Sequence, residues 1–309
     1  MLRSMRAPTL TALVLVSLVT AACGSDNDSA DPATKTVVVG SAAFSESLIV
    51  ASMYAGALES EGYRVTVRKG LGQREIYLPA LQQGGGNNGI DLIPEYVGTL
   101  LEFVNRNAGE ATGDVDESVR KLRPRLEGMG LTVLNPSPAT DQNAFAVTKA
   151  TADRLRLKKL SDLTPVAAQM TLGAGAECPT RPFCQPGLEK TYGLKFKTFR
   201  PLDSGGPRTV EALKSGDIDL GLVFTSSAAV ADPNLVVLED DKKLQTADNL
   251  VPAIRADVVD DNIRSVLNKV SAELTTPDLI QLNKRADIDK ADPETLAKEW
   301  LQQHGLTKK

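Results

Sequence analysis

The chain has 309 residues, enough for two domains of ordinary size, and its hydrophobic fraction of 42% and charged fraction of 24% are typical of a globular protein. The net charge of −4 leaves no basic excess, which argues against nucleic acid as a partner. Aromatic residues make up only 4% of the chain, so each ring near a candidate site is informative.

The first residues predict export from the cytoplasm. Arg3 and Arg6 precede an apolar run over 10–19 that is too short to span a bilayer, and small residues then lead to Cys23. We predict a signal peptide over 1–23 that ends in a lipobox, with Cys23 lipidated; ordinary cleavage beside an unmodified Cys23 is the alternative. Residues 24–35 are polar or small and predict a flexible tether.

The chain then alternates between strand and helix patterns, which predicts a parallel or mixed α/β sheet. The first series has strands at 35–40, 63–68 and 90–93 and helices at 49–61 and 73–83. A second series has strands at 143–147, 170–174, 195–200 and 218–220, a short helical segment after Ser161 and a helix at 209–214.

The two series share a short sequence motif. Residues 80–92 and 212–220 both read as a helix end with Ala-Leu, a Gly turn and then Ile-Asp-Leu, so that Asp91 corresponds to Asp219. Chance similarity between common turns is the alternative to a true repeat. The repeat predicts two lobes of similar construction.

The end of the chain predicts three helices, at 260–274, 277–286 and 293–304, which could pack back on the first lobe. The lobes are then 36–139 with 250–309, and 140–249. A cleft between two α/β lobes binds polar ligands at the carboxyl ends of strands. The stretch PEYVGT at 94–99 follows such a strand, so we predict that it faces the cleft.

Two cysteines remain after the N-terminal segment. Cys178 and Cys184 are six residues apart in the loop CPTRPFC, and export makes a disulfide between them the leading interpretation. Two thiols and one distant histidine do not indicate a metal site.

No arrangement typical of catalysis is present in the sequence. His304 is the only histidine, and the glycines at 84–86 lack the Lys-Ser or Lys-Thr ending of a phosphate-binding loop. We therefore predict a binding protein without catalytic residues, cofactor or metal.

Several stretches match a known family. They are FSE at 44–46, GLG at 70–72, IDLIPEYVGT at 90–99, NAFAV at 143–147, RPFCQPGLEKTYGLKF at 181–196, ALKSGDIDLGLVFT at 212–225 and LVVLEDDK at 235–242. On these motifs residues 36–306 resemble the glycine betaine and choline-type osmoprotectant-binding proteins of bacterial ABC importers, the OpuAC-like or ProX-like family. The resemblance implies a two-lobed, type II periplasmic-binding-protein-like fold with the ligand cleft between the lobes.

The resemblance also implies the residues of the ligand site. Aromatic faces hold the quaternary ammonium group in this family, and arginine or backbone N–H groups hold a carboxylate. Transferred to this sequence, the site comprises Phe44, Asp91, Tyr96, Thr99, Arg181, Phe224 and Thr225, with Phe145 and Phe183 as further ring candidates.

This sequence departs from the family pattern where relatives carry additional rings. Ile93 stands where a tyrosine is usual, and residues 178–180 replace a commonly aromatic loop. The first interpretation is an extracytoplasmic, lipid-anchored, monomeric receptor that passes an osmoprotectant to an ABC permease. The alternatives are the same scaffold with an aromatic or polyol-like ligand, and a sensor or adhesion lipoprotein that works without a permease.

Overall fold

The computed structural model describes residues 35–86 and 88–308, which form two five-stranded sheets with helices packed on them. The predicted signal peptide, Cys23 and nearly all of the tether lie outside the described residues.

The first sheet has the strand order β2-β1-β3-β10-β4. β1 runs parallel to β2 and β3, whereas β10 runs antiparallel to β3 and β4. Its strands are β1 (Thr36–Gly40), β2 (Arg64–Arg68), β3 (Leu92–Tyr96), β4 (Leu131–Val133) and β10 (Leu250–Arg255).

The second sheet has the equivalent order β7-β6-β8-β5-β9. β6 runs parallel to β7 and β8, and β5 runs antiparallel to β8 and β9. Its strands are β5 (Asn143–Thr148), β6 (Thr171–Gly175), β7 (Thr198–Leu202), β8 (Leu220–Phe224) and β9 (Leu235–Leu238). The two sheets therefore share one topology.

The sequence motif shared by the two halves has the same structure in each. The Asp91 carboxylate accepts a hydrogen bond from Val38 N at 2.9 Å, and the backbone N–H of Asp91 donates to Val38 O at 2.7 Å. Asp219 makes the same pair of contacts with Thr171, at 2.8 Å and 3.0 Å. Both aspartates join the start of one strand to its parallel neighbour, which supports a true repeat.

Helices cover both sheets, and three late helices pack beside α1. The helices are α1 (Ser45–Ser60), α2 (Arg74–Gln83), α3 (Val97–Val104), α4 (Val115–Glu127), α5 (Lys149–Leu155), α6 (Gln185–Gly187), α7 (Pro207–Ser215), α8 (Asp261–Glu273), α9 (Thr276–Asp287) and α10 (Pro293–Gln303). A π-helical turn, Leu188–Tyr192, follows α6. Short 3₁₀ turns lie at Leu160–Leu163, Ala167–Gln169, Cys178–Thr180 and Ala228–Ala231. One core cluster contains Ile49 of α1, Leu267 of α8 and Trp300 of α10, so the chain end closes one face of the first sheet.

Strand β3 differs from the sequence prediction. The predicted strand ended at residue 93, but β3 runs from Leu92 to Tyr96 and α3 begins at the next residue. Proline is rare inside a central strand because it cannot donate to the ladder. Here Pro94 lies opposite Pro252 of β10, and at that pair neither strand requires an N–H donor.

Two segments connect the sheets and run side by side. Thr140 and Asn249 form an isolated antiparallel bridge, and Asp141 N donates to Asp248 O at 2.9 Å. We call residues 140–142 and 246–249 the paired connections. They place two carboxylates, Asp141 and Asp248, between the two sheets.

Candidate functional site

A cavity of about 510 Å³ is lined by residues from both halves of the protein. The half built on the first sheet supplies the start of α1, the end of β3 and α9, and the other half supplies the 176–184 loop and the end of β8. This volume lies within the range of small-molecule sites. The cavity is therefore the candidate ligand site.

Five of the seven predicted ligand residues line this cavity. They are Phe44, Tyr96, Thr99, Arg181 and Phe224. Tyr96 is the last residue of β3, and Phe224 is the last residue of β8, so the two strand ends of the repeat each supply a ring to the cavity.

Asp91 and Thr225 do not line the cavity, which corrects the expectation from the resemblance. Both Asp91 oxygens are used within the first half, by Val38 N and by Gly85 N at 2.8 Å. The Thr225 hydroxyl accepts from Gln142 N at 2.9 Å, which ties β8 to the connection beside it. Both residues therefore have structural roles.

The cavity contains more rings than the predicted cage. Phe44 and Tyr96 are stacked, with ring centroids 6.4 Å apart and an angle of 29° between planes. Tyr77, Phe103 and Phe183 also line the cavity. The cavity therefore has three ring-bearing residues in addition to the predicted Phe44, Tyr96 and Phe224.

Phe145, one of the two further ring candidates, does not line the cavity. Its side chain is buried in the core of the second sheet, where it packs with residues such as Leu172 and Leu222. Asn143 lines the cavity at the start of β5, whereas Phe145 lies two residues further along the strand, within the core of the second sheet.

Glycine is required beside Tyr96. A Cβ atom on Gly98 would lie 2.4 Å from Thr246 Oγ1 and 3.0 Å from Ala247 O. Gly98 N donates to that same carbonyl at 3.1 Å. The first turn of α3 therefore packs directly against a paired connection, which fixes Tyr96 at the cavity wall.

A chain of polar contacts joins the two halves at the base of the cavity. The Tyr96 hydroxyl donates to Glu46 Oε1 at 2.7 Å, and Asn283 Nδ2 donates to Glu46 Oε2 at 2.6 Å. Asn283 Nδ2 also lies 3.0 Å from Ser226 O, and the Ser226 hydroxyl donates to Asp141 Oδ1 at 2.6 Å. We call Glu46, Asp141, Ser226 and Asn283 the polar base.

The carboxylates of the polar base are difficult to ionise. Burial raises the pKa of Glu46, although hydrogen bonds from Ser226, Tyr96 and Asn283 act in the opposite direction. Burial, and then the charge of Glu46, raise the pKa of Asp141 well above its usual value. No lysine or arginine within 35–86 and 88–308 forms an ion pair with either carboxylate.

Arg74 and Glu95 form a buried ion pair beside the cavity. Arg74 Nε and Nη2 contact the two Glu95 oxygens at 2.8 Å and 2.7 Å, and Arg74 also donates to the carbonyl and hydroxyl of Thr99. Thr99 N donates to Asp248 Oδ1 at 2.8 Å. Thr99 is therefore held by partners on both sides, and the charge of Arg74 is already compensated.

The 178–184 loop carries Arg181 over the cavity. A disulfide joins Cys178 to Cys184 at the two ends of this loop. Arg181 Nη2 lies 2.9 Å from Glu75 on α2, and its guanidinium lies 5.4 Å from the centroid of the Phe103 ring. Its Nε and Nη1 groups have no acceptor in the described part of the chain, so they can donate to a ligand.

Sequence reasoning missed the polar base because its members have no common motif. Glu46 and Asn283 are 237 residues apart, and Asp141 and Ser226 are 85 apart. The available signals were weak: Glu46 belongs to the matched FSE motif, and Ser226 follows a matched strand.

Neither a membrane span nor a metal site is found among the described residues. None of their helices has both the length and the apolar character needed to cross a membrane. The same residues contain no group of three side chains suited to hold a metal ion.

Comparison with known proteins gives one family. The family model described as the substrate-binding domain of the ABC-type glycine betaine transport system matches residues 35–303. The chain is 28% identical over 285 residues to a glycine-betaine-binding protein of Pseudomonas aeruginosa, covering 88% of this chain and 89% of the relative. It is 26% identical over 287 residues to the glycine betaine-binding protein YehZ of Escherichia coli, covering 89% and 93%.

A solved structure has the same fold. The crystal structure of a glycine betaine/carnitine/choline ABC transporter protein superposes with a TM-score of 0.69 at 24% identity, covering 87% of this chain and 99% of the other. The protein is thus a two-lobed, extracytoplasmic binding component of an ABC transporter rather than an enzyme. Because the family model spans nearly all described residues, the chain belongs to the family of substrate-binding domains of ABC-type glycine betaine transport systems.

Proposed function

We propose that this protein binds a quaternary ammonium osmoprotectant, of the glycine betaine, choline or carnitine kind, and delivers it to the permease of an ABC importer. The observation that carries the proposal is the cavity wall. Phe44, Tyr96 and Phe224 present rings to a space whose ionisable lining is mainly acidic. Rings and carboxylates together suit a quaternary ammonium group, which is cationic and has no N–H to donate.

Charged groups of both signs on the wall suit such a ligand. Glu46, which contacts Tyr96, and Asp141 are acidic groups for the cation. Arg181 has free donors that can take the carboxylate of a zwitterion. A betaine or carnitine would then span the cavity and touch both halves, and this bridging favours the closed form that engages a permease.

The relatives support this proposal by their names. Two bind glycine betaine, and the solved structure is titled for glycine betaine, carnitine and choline. We extend this to the remaining sequence predictions: a signal peptide over 1–23, lipid on Cys23, a tether over 24–35, lobes at 36–139 with 250–309 and at 140–249, and a monomeric receptor held outside the cell membrane by its lipid.

A second candidate ligand is a larger molecule that contains an aromatic or other planar group. The volume of about 510 Å³ leaves room beyond the small betaines, and Tyr77, Phe103 and Phe183 add ring faces on which a planar group could stack.

A thermal-shift screen tests the choice. The mature protein is heated with glycine betaine, carnitine, choline, the neutral tert-butyl analogue of choline, and a set of aromatic and polyol compounds. A ligand at about 100 times its Kd adds about 2.7 kcal/mol to the free energy of unfolding, which raises Tm by several degrees. We expect a rise with the quaternary ammonium compounds and none with the neutral analogue. A rise with aromatic compounds alone would contradict the proposal.

A further inference from the structure

We propose that Glu46 and Asp141 together form the counter-charge for the ligand's cationic group, and that they exchange a proton for it. In the empty cavity this pair of carboxyl groups holds one proton. When the cation binds, the proton leaves to solvent and both carboxylates are ionised. The inference rests on the proposed function and adds the residues that balance the ligand's charge.

The two carboxylates reach the cavity from different halves of the protein. Glu46 lies in the first turn of α1, and Asp141 lies in a paired connection next to β5. Their exposed fractions are only 4% and 6%, and both line the cavity. Ser226 and Asn283 link them through short hydrogen bonds. A ligand at the cavity base therefore meets both groups together.

Neither carboxylate has a positive partner among residues 35–86 and 88–308. The two guanidinium groups that line the cavity are already paired, Arg74 with Glu95 and Arg181 with Glu75. A buried carboxylate without a counter-ion is strongly unfavourable, and two neighbouring carboxylates resist ionising at once. One proton held by the pair reduces this penalty in the empty cavity, and a bound cation reduces it in the complex.

A separate observation indicates that the polar base is incomplete without a ligand. Asn283 is 4% exposed and lines the cavity, and its Nδ2 is committed to Glu46 and Ser226. Its Oδ1 accepts no hydrogen bond from any described residue. Buried acceptors are rarely left without a donor. A ligand or its water in the cavity can supply that donor.

Other titratable groups also face the pair. Tyr96 from β3 donates to Glu46, Asp248 from the second paired connection lies beside Asp141, and Asp287 from α9 faces Glu46. All three are neutral or negative, so none of them replaces the missing cation. The surroundings therefore favour retention of a proton until the ligand arrives.

Competition between proton and cation fixes the sign of the pH dependence. A group that is protonated in the free protein and ionised in the complex makes binding stronger as pH rises. Affinity for a quaternary ammonium ligand should therefore weaken in acid. Each bound ligand should release up to about one proton near neutral pH.

Calorimetry measures this release directly. Glycine betaine, carnitine and choline are titrated into the full-length mature protein in two buffers whose ionisation enthalpies differ widely, at matched pH. The difference in binding enthalpy gives the number of protons released per ligand. We expect between about 0.5 and 1 for the wild type, and a Kd that is weaker by about 10- to 100-fold when the pH is lowered from about 7 to about 5.

Variants separate a charge role from a structural one. Asp141→Asn removes one of the two carboxyl groups that hold the proton and leaves Asp287 as the acidic neighbour of Glu46, so this variant should bind ligand with less proton release than the wild type. Glu46→Gln with Asp141→Asn leaves a neutral base and should weaken binding at least about ten-fold without lowering Tm. The control is Asp116→Asn on the exposed face of α4, which should keep wild-type affinity and proton release.

Two results would overturn the inference while the proposed function stands. The first is ligand binding without proton release in the wild type. The second is loss of the release in Asp248→Asn but not in Asp141→Asn. If none of the three probes binds, the proposed function fails instead. Infrared spectroscopy of the ligand-free protein then still tests whether the pair of carboxyl groups holds a proton. The wild type near pH 7 should show a carboxyl C=O band that is absent from Asp141→Asn.

Discussion

Tyr96 combines two roles in one side chain. Its ring stacks near Phe44 at the cavity wall, and its hydroxyl donates to the buried carboxylate of Glu46. The ring offers a face to a cation, whereas the hydroxyl supports the group that would balance the cation's charge. Substitutions that remove one role at a time can separate these contributions.

We expect Tyr96→Ala to weaken quaternary ammonium binding about ten-fold, because one desolvated aromatic face contributes about 0.5–2 kcal/mol and the wall beside it is lost. Tyr96→Phe keeps the ring and should lose only a few-fold. Calorimetric titration with choline and glycine betaine measures both.

The matched control is Tyr63→Ala. Tyr63 is also buried in the first half, but it contacts Asp260 and Asn262 and does not line the cavity. This variant should lose stability and keep its ligand affinity. An unchanged affinity in Tyr96→Ala would remove Tyr96 from the site.

Residues of the site were predictable where a motif marked them and unpredictable where only folding brings them together. Tyr96, Thr99 and Phe224 belong to stretches that match the family, and all three line the cavity. Asn283 lies in an ordinary amphipathic helix, and nothing local distinguishes it from a surface asparagine. Its role follows only from the packing of α9 beside α1.

At the level of elements, periodicity located the strands and helices better than it located their ends. The helix predicted at 73–83 is α2, Arg74–Gln83, because its apolar spacing and the following glycine are both local signals. Strand β3 extends beyond its prediction because the partner strand β10 carries Pro252 opposite Pro94. That compensation comes from residues about 160 positions away, which no local pattern can reveal.

The disulfide loop is the element that should affect ligand selectivity. We expect the double variant Cys178→Ser with Cys184→Ser to lower the free energy of unfolding by about 2–3 kcal/mol, because the unfolded chain loses a covalent constraint. Since the loop carries Arg181, the double variant should also weaken the binding of glycine betaine more than the binding of choline, which has no carboxylate for Arg181 to bind.

Denaturant unfolding and titration with both ligands measure these effects. Arg200→Gln is the control, since Arg200 pairs with Asp217 on the surface of the same half and does not line the cavity. Equal losses for choline and glycine betaine in the double variant would show that Arg181 does not select for the carboxylate.

At the scale of the whole molecule, three buried carboxyl groups lie where the two halves meet. The paired connections carry Asp141 and Asp248, and Glu46 faces them from α1. Such groups reduce stability when they are ionised. The cost is understandable in a binding protein, because a ligand that supplies charge or hydrogen bonds there gains affinity from the same groups.

The stability of the empty protein should therefore fall as pH rises through the titration of these carboxylates. Burial raises the pKa of Asp248 from 3.8 to about 7, with the neighbouring charge of Glu95 acting in the same direction. Between these values the folded protein binds more protons than the unfolded chain, so the free energy of unfolding decreases with increasing pH. Asp248→Asn removes this titration and keeps an oxygen that can accept from Thr99 N.

We expect Asp248→Asn to raise the free energy of unfolding of the ligand-free protein by about 2–4 kcal/mol near pH 8, since each unit of pKa shift corresponds to about 1.4 kcal/mol. The gain should be less than about half as large near pH 5, where the wild-type carboxyl is already protonated in the folded state. Denaturant unfolding at the two pH values measures the difference, with Asp116→Asn as an exposed control that should show no gain at either. A gain of equal size at both pH values would mean that packing, rather than the charge of Asp248, sets the stability where the two halves join.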